Sequence, residues 1–177
     1  TTDYKELLRR PEITATIIAT DETNHVGPTL TAVERGHDLL IEKPLATDVK
    51  DSLKVVNAIK AGGVDAVVGY TNRFRRRFLT IKEKIRTGQI GEVTSVVTRA
   101  FMNRMVPIAT VRRAEERKYL TPMVVSGTHS LDLMMWMLEG KEPVEVYARS
   151  VDKALGGWGT KDSTFGLFTF KDGTLWS

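Results

Sequence analysis

Four short stretches of the 177-residue chain carry side chains able to handle a proton or a hydroxyl group. The first is Glu42-Lys43-Pro44, which directly follows the apolar run Leu39-Leu40-Ile41. Charged residues just after a buried strand sit at the carboxyl end of a sheet, where open α/β folds bind their ligands. A lysine at such a place can hydrogen-bond a substrate hydroxyl, and Pro44 stiffens the turn that aims it. The same three residues also read as an ordinary surface pair before a turn. The second stretch is Ser126-Gly127-Thr128-His129-Ser130-Leu131-Asp132. His129 and Asp132 are three apart and share a helix face, so the pair suits a proton relay or, equally, a core histidine held by a carboxylate. The third is the Thr20 to His25 loop, which opens a helix and could meet a cofactor phosphate or ribose. Asp21 and Glu22 in that loop oppose phosphate and suit ribose hydroxyls. The fourth is Tyr70-Thr71-Asn72-Arg73-Phe74, again directly after an apolar run; the Arg75 to Arg77 run beside it reads as a solvated helix start.

These residues need a frame to hold them. Ile13 to Ala19 is β-rich and suited to a strand buried on both faces. Val26, Leu30 and Val33 lie at helical spacing and Gly36 stops that helix. Leu39 to Ile41 predicts a second strand, and Thr47 or Asp48 caps a helix ending at Gly62-Gly63. Ala66 to Tyr70 predicts a third strand. Strand, helix, strand, helix, strand with such short loops is a parallel βαβ pattern, so residues 1–72 read as half of a doubly wound sheet. Residues 73–177 then change style. A charged helix carries Phe78, Ile81 and Ile85, and Glu92 to Phe101 alternates as an antiparallel strand does. Met102 to Val125 is polar, basic and irregular, as an active-site loop can be. A helix over Gly127 to Glu139 and strands at Val144 to Val151 and Thr164 to Phe170 complete a second, α+β domain. Neither Thr1 nor Ser177 falls at a natural domain boundary, which predicts a piece of a longer chain.

Composition narrows the function classes. Apolar residues at 41% and charged residues at 27% are ordinary for a globular protein. With no cysteine, disulfides and thiolate metal sites are excluded, and three histidines are too few to suggest any other metal centre. The absence of disulfides fits a reducing compartment and a cytoplasmic location. No apolar run approaches the roughly 20 residues of a membrane span. The net charge of +4 would allow nucleic acid as a partner, but aromatics at 7% are not interleaved with the arginines, so nucleic-acid binding is not expected.

Taken together, the stretches Asp3 to Leu8, Ile17 to Thr20, His25, Ala32 to Ala46, Gly69 to Phe74, Gly88 to Val93 and Gly127 to Asp132 resemble, in order, the Gfo/Idh/MocA family, the glucose–fructose oxidoreductase and inositol dehydrogenase group. The resemblance spans nearly the whole chain. It implies an α/β Rossmann-type half with a parallel sheet, followed by an α+β domain whose open, mostly antiparallel sheet makes a dimer or tetramer interface. It also implies hydride exchange between NAD or NADP and a CH–OH carbon of a sugar, polyol or related cyclic diol. In that picture Lys43, His129 and Asp132 are catalytic, with Lys43 positioning the substrate and His129 exchanging a proton with the reacting hydroxyl. Thr20, His25, Glu42, Lys43, Pro44, Asn72 and Arg73 are the cofactor-binding residues.

Two departures stand out. The family's glycine-rich fingerprint belongs to a βαβ unit ahead of Thr1 and is absent here. Typical members also carry an aspartate one helical turn before the histidine, where this chain has Val125. A valine can neither accept a proton nor orient His129. Asp132 or a tyrosine such as Tyr119 then takes over, or the reaction differs, or the protein is a non-catalytic ligand-binding relative.

Overall fold

A computed structural model describes residues 1–114 and 119–177. The chain divides into two compact units, Thr1–Gly69 with the described part of Arg113–Leu120, and Tyr70–Arg112 with Thr121–Ser177.

The first unit opens with helix α1 (Tyr4–Leu7), whose first turn is capped by the Asp3 carboxylate. Strand β1 (Ala15–Ile18), helix α2 (Val26–Glu34), strand β2 (Asp38–Ile41), helix α3 (Val49–Gly62) and strand β3 (Ala66–Val68) follow. The three strands pair side by side and all parallel, in the order β1-β2-β3. Asp48 is the cap of α3, its carboxylate accepting from the Asp51 N–H at 2.9 Å. Gly63 ends that helix at φ 64, a backbone that glycine adopts without a Cβ penalty.

Ile18, Leu39 and Ile41 turn to one face, where Ala32 and Val33 of α2 and Ala58 and Ile59 of α3 cover them. Burying each large aliphatic there contributes about 1.5–3 kcal/mol. The two helices approach closely because Gly62 has no Cβ; one built there would come within 2.7 Å of Val33 Cγ1. The other face corrects the expectation of strands buried on both sides. Ile17, Leu40 and Val67 lie in one register row and are 71%, 43% and 53% exposed. Both helices pack on the opposite face, so nothing among the described residues covers this row.

In the second unit come helix α4 (Arg76–Arg86), strand β4 (Ser95–Val96), helix α5 (Met105–Arg113, its last residue grouped with the first unit), helix α6 (Thr128–Met137), and strands β5 (Pro143–Val151), β6 (Ser163–Phe170) and β7 (Leu175–Trp176). The sheet order is β4-β7-β6-β5. β5, β6 and β7 pair antiparallel, whereas β4 runs parallel to β7. The expected antiparallel strand over Glu92 to Phe101 is therefore reduced to two residues and reversed in sense. Alternation reports which side chains share a face and carries no information on the direction of the neighbouring strand. Met134 and Leu138 pack on Phe170 and Trp176, with Leu131, Val93, Val96 and Phe168 around them. Phe168 and Trp176 stack at 4.1 Å.

The Met102 to Val125 stretch is also more ordered than expected. Asn103 accepts from the Met105 N–H and starts α5, which buries Pro107, Ile108 and Val111. Those residues have helical spacing, hidden in the sequence by the apolar residues between them. Glu115 to Lys118, within the same stretch, lie outside the described residues. A π-helical turn over Met123–Gly127 then leads directly into α6.

Candidate active site

The carboxyl edge of the parallel sheet is built in the first unit from the segments that follow β1 and β2. After β2 the chain turns through Glu42, Lys43 and Pro44, and the Lys43–Pro44 peptide is cis. Glu42 is exposed and its carboxylate accepts the Lys43 backbone N–H at 3.1 Å. Lys43 is half-buried and Pro44 buried. Gly69, directly after β3, leaves van der Waals room for the Glu42 carboxylate, since a Cβ there would sit 3.5 Å from it.

His25 ties this edge together. It is 1% exposed. Its Nδ1 lies 2.7 Å from the Pro44 carbonyl oxygen and its Nε2 3.1 Å from that of Thr20. Both partners are acceptors, and a neutral imidazole can donate to only one of them. The ring thus joins the loop after β1 to the loop after β2 and is turned away from solvent. Exposed Thr20 stays at the edge, with its carbonyl facing His25. His37, also buried, meets Thr16 Oγ1 at 2.9 Å.

The same edge holds a pair that the sequence did not signal. Glu22 is 7% exposed, and Arg113 donates to both its carboxylate oxygens at 2.6 and 2.8 Å. Arg113 also meets Asp21 at 3.0 Å. Burial pushes the Glu22 carboxyl up, but the Arg113 hydrogen bonds, a local backbone bond and the charges of Arg113 and Lys43 outweigh it and leave the group below its ordinary value. The partners are 91 residues apart in sequence, so no local pattern announces them.

In the second unit, His129 sits in the first turn of α6, half-buried, with Val125 buried in the preceding π-helical turn. Gly127 lies between them, and a Cβ there would overlap Met123 Sδ unless that side chain moved. Asp132 is gripped by Arg73: Nε donates at 2.9 and 3.1 Å and Nη2 at 2.6 Å, a fork-to-carboxylate bond. Arg73 Cζ lies 5.7 Å from the Trp136 ring centroid, and Lys82 Nζ approaches that ring at the same distance. Lys82 also donates to the Trp136 carbonyl and to Glu139. Asn72 is half-buried in the 3₁₀ turn Thr71–Phe74 beside Arg73. Tyr70 opens that turn, meets Thr128 Oγ1 at 3.0 Å, and stands edge-on to His129 with centroids 6.1 Å apart. Tyr119, the other tyrosine considered, is half exposed at φ 68 in the first unit.

The sequence-derived residues thus fall into two groups. Thr20, His25, Glu42, Lys43 and Pro44 gather in the first unit; Asn72, Arg73, His129 and Asp132 gather in the second. No three His, Cys, Asp or Glu side chains among the described residues group as a metal site requires. Nor does any described helix have the length and apolarity to cross a membrane.

Residues 1–70 match the sequence model of the oxidoreductase family with an NAD-binding Rossmann fold, and residues 78–177 match that of the GFO/IDH/MocA C-terminal domain. The chain is 30% identical over 156 residues to inositol 2-dehydrogenase of Gluconacetobacter diazotrophicus, covering 85% of this chain and 43% of that protein. It is 28% identical over 149 residues to inositol 2-dehydrogenase of Salmonella typhimurium, covering 82% and 41%. Its fold superposes on the WlbA dehydrogenase of Bordetella pertussis, crystallised with NADH and UDP-GlcNAcA, at a TM-score of 0.85 and 22% identity, covering 99% of this chain and 51% of that one. It superposes on myo-inositol 2-dehydrogenase of Lactobacillus plantarum at a TM-score of 0.83 and 21% identity, covering 99% and 53%. The chain therefore spans about half the length of these solved structures and less of the curated relatives. With both of its regions matched in order, the chain belongs to the GFO/IDH/MocA family of oxidoreductases.

Proposed function

We propose that this chain is the central part of an oxidoreductase that moves hydride between NAD or NADP and a CH–OH carbon of a sugar, polyol or cyclic diol. Residues 1–72 are then the later part of a dinucleotide-binding domain, and 73–177 the start of the substrate and assembly domain. The observation that carries the reading is Lys43 at the carboxyl edge of a parallel sheet, where such folds hold a ligand, in a family described by its NAD-binding Rossmann fold.

The residues at that edge fit the ribose and nicotinamide end of a dinucleotide. Asp21 and Glu42 are carboxylates that suit hydroxyl groups and repel phosphate, whereas Glu22 is buried with both oxygens on Arg113. These 177 residues hold no glycine-rich fingerprint, so a pyrophosphate cradle is not among the groups they supply. When bound, the nicotinamide supplies the hydride acceptor. Lys43 hydrogen-bonds the substrate hydroxyl, and His129 exchanges the hydroxyl proton. His25 we assign to holding the Lys43–Pro44 loop rather than to the cofactor, since its ring nitrogens face two carbonyls. Arg73 and Asp132 we assign to holding α6, because each occupies the other.

The open face of the second sheet supports assembly into a dimer or tetramer. Tyr147, Phe165, Leu167 and Leu175 share that face and are 60%, 75%, 46% and 44% exposed. A chain without cysteine suits the cytoplasm.

Val125 favours one other reading, a relative that binds a hydroxylated ligand without turning it over. Absorbance of reduced nicotinamide, followed on the full-length protein with NAD and NADP against inositols, sugars and cyclic diols, separates the two. Turnover with any of these supports the dehydrogenase. Cofactor binding with no turnover across the panel supports the binding protein.

A further inference from the structure

The carboxylate that the family pattern expects one turn before the histidine is replaced by buried Val125. The nearest carboxylate on the same helix, Asp132, has both oxygens on Arg73. A side chain from another element reaches the first turn of α6 instead. Tyr70 comes from the residue that follows β3 and Gly69, and it makes two contacts with consecutive helix residues. Its hydroxyl and the Thr128 hydroxyl are 3.0 Å apart, partly buried. Its ring meets the His129 imidazole at 6.1 Å between centroids and an interplanar angle of 81°, the edge-to-face arrangement that aromatic rings prefer.

The two contacts act on different degrees of freedom. The hydroxyl pair fixes the position of the helix start, because Thr128 is its first residue. The edge-on ring limits rotation of the imidazole about its side-chain bonds. Tyr70 is itself fixed from behind. It opens the 3₁₀ turn Thr71–Phe74, and that turn is bolted to α6 through Arg73 and Asp132. The chain thus holds His129 from a neighbouring turn.

Resting on the dehydrogenase reading proposed above, we infer that Tyr70 is a positioning residue for His129, acting through its hydroxyl on Thr128 and through its ring on the imidazole. It acts on the imidazole from the turn after β3 and touches neither the hydride nor the reacting carbon.

Tyr70→Phe removes the hydroxyl and keeps the ring; Thr128→Val removes the same bond from the other side; Tyr70→Leu removes both contacts. In the full-length protein, Tyr70→Phe and Thr128→Val are each expected to lower kcat about tenfold while KM for the cofactor stays within about twofold. The double variant Tyr70→Phe with Thr128→Val should be no slower than either alone, since both remove one bond. Tyr70→Leu should be slower than Tyr70→Phe and should shift the His129 limb of the pH profile. The readout independent of turnover is the NMR signal of the His129 ring in the cofactor-free protein. Tyr70→Leu should move it by loss of the tyrosine ring current, and Tyr70→Phe should leave it in place. If the wild type turns over while all three variants match it in kcat and pH profile, the positioning role is overturned. If the wild type turns over nothing, the dehydrogenase reading fails, and an unmoved His129 signal in Tyr70→Leu then overturns the ring contact as well.

Discussion

Glu22 holds a carboxylate at a place almost closed to water, and Arg113 is what makes that tolerable. A charged hydrogen bond of this kind contributes about 1.5–3 kcal/mol when well buried. Arg113 is half exposed, so its removal should cost nearer about 1 kcal/mol. The sign of the pH dependence follows from the lowered Glu22 pKa. A depressed carboxyl stabilises the fold above its unfolded value, near its ordinary 4.5, and that stability is lost as pH falls through the folded value. Denaturant unfolding of Arg113→Ala should therefore show its full deficit at neutral pH and a shrinking one below pH 4.5. A deficit that stays constant down to acid pH would mean the pair acts only by packing. At the same scale, Asp172 in the β6–β7 turn is held down at about 2 by Lys141 and the Thr174 N–H, so it remains ionised throughout that range. Lys43, His129 and the His25 loop stand out as candidates because each follows an apolar run or opens a helix, but it is the family resemblance that singles out Lys43 and His129. Arg113 and the Tyr70 contacts do not stand out. Each joins residues more than fifty apart, and nothing local to either partner marks the other.

The elements of the first unit were legible because each has its own punctuation: Asp48 before α3, Gly36 and Gly63 after their helices, and an aliphatic run for each strand. The second unit was harder to read. In α5 the run from Met105 to Val111 is apolar almost throughout, so no polar face marks it as a helix, and around β4 Val93 and Val96 are only partly buried against the core. The π-helical turn Met123–Gly127 gives no periodic signal at all, since its hydrogen bonding departs from the 3.6 repeat. That turn delivers His129, and Gly127 within it leaves room for the Met123 side chain. Gly127→Ala drives a Cβ into Met123 Sδ and should destabilise the fold by about 1–3 kcal/mol. Adding Met123→Ala should recover part of that loss in thermal unfolding. If the double variant is no more stable than Gly127→Ala, the overlap is not the cause.

At the scale of the whole molecule, two apolar rows await cover: Ile17, Leu40 and Val67 on the first sheet, and Tyr147, Phe165, Leu167 and Leu175 on the second. Neither row could be foreseen from the strands' own sequences, because apolar residues on both faces read the same whether one face or both are covered. In the proposed reading the first row is covered by further α/β units of a longer dinucleotide-binding domain. The second suits another copy of the protein. Leu167→Lys puts a charge at the centre of that row and should yield a smaller species than the wild type on sedimentation of the full-length protein; an unchanged mass would exclude this face as the interface. The reaction itself is tested most directly by isotope transfer. Full-length protein is mixed with NAD or NADP and a hydroxylated substrate deuterated at its CH–OH carbons. Deuterium should appear on the nicotinamide ring, at a rate at least about a hundredfold lower in Lys43→Ala, with cofactor binding unchanged. Transfer by Lys43→Ala at the wild-type rate, or cofactor bound without any transfer by the wild type, would contradict the assignment.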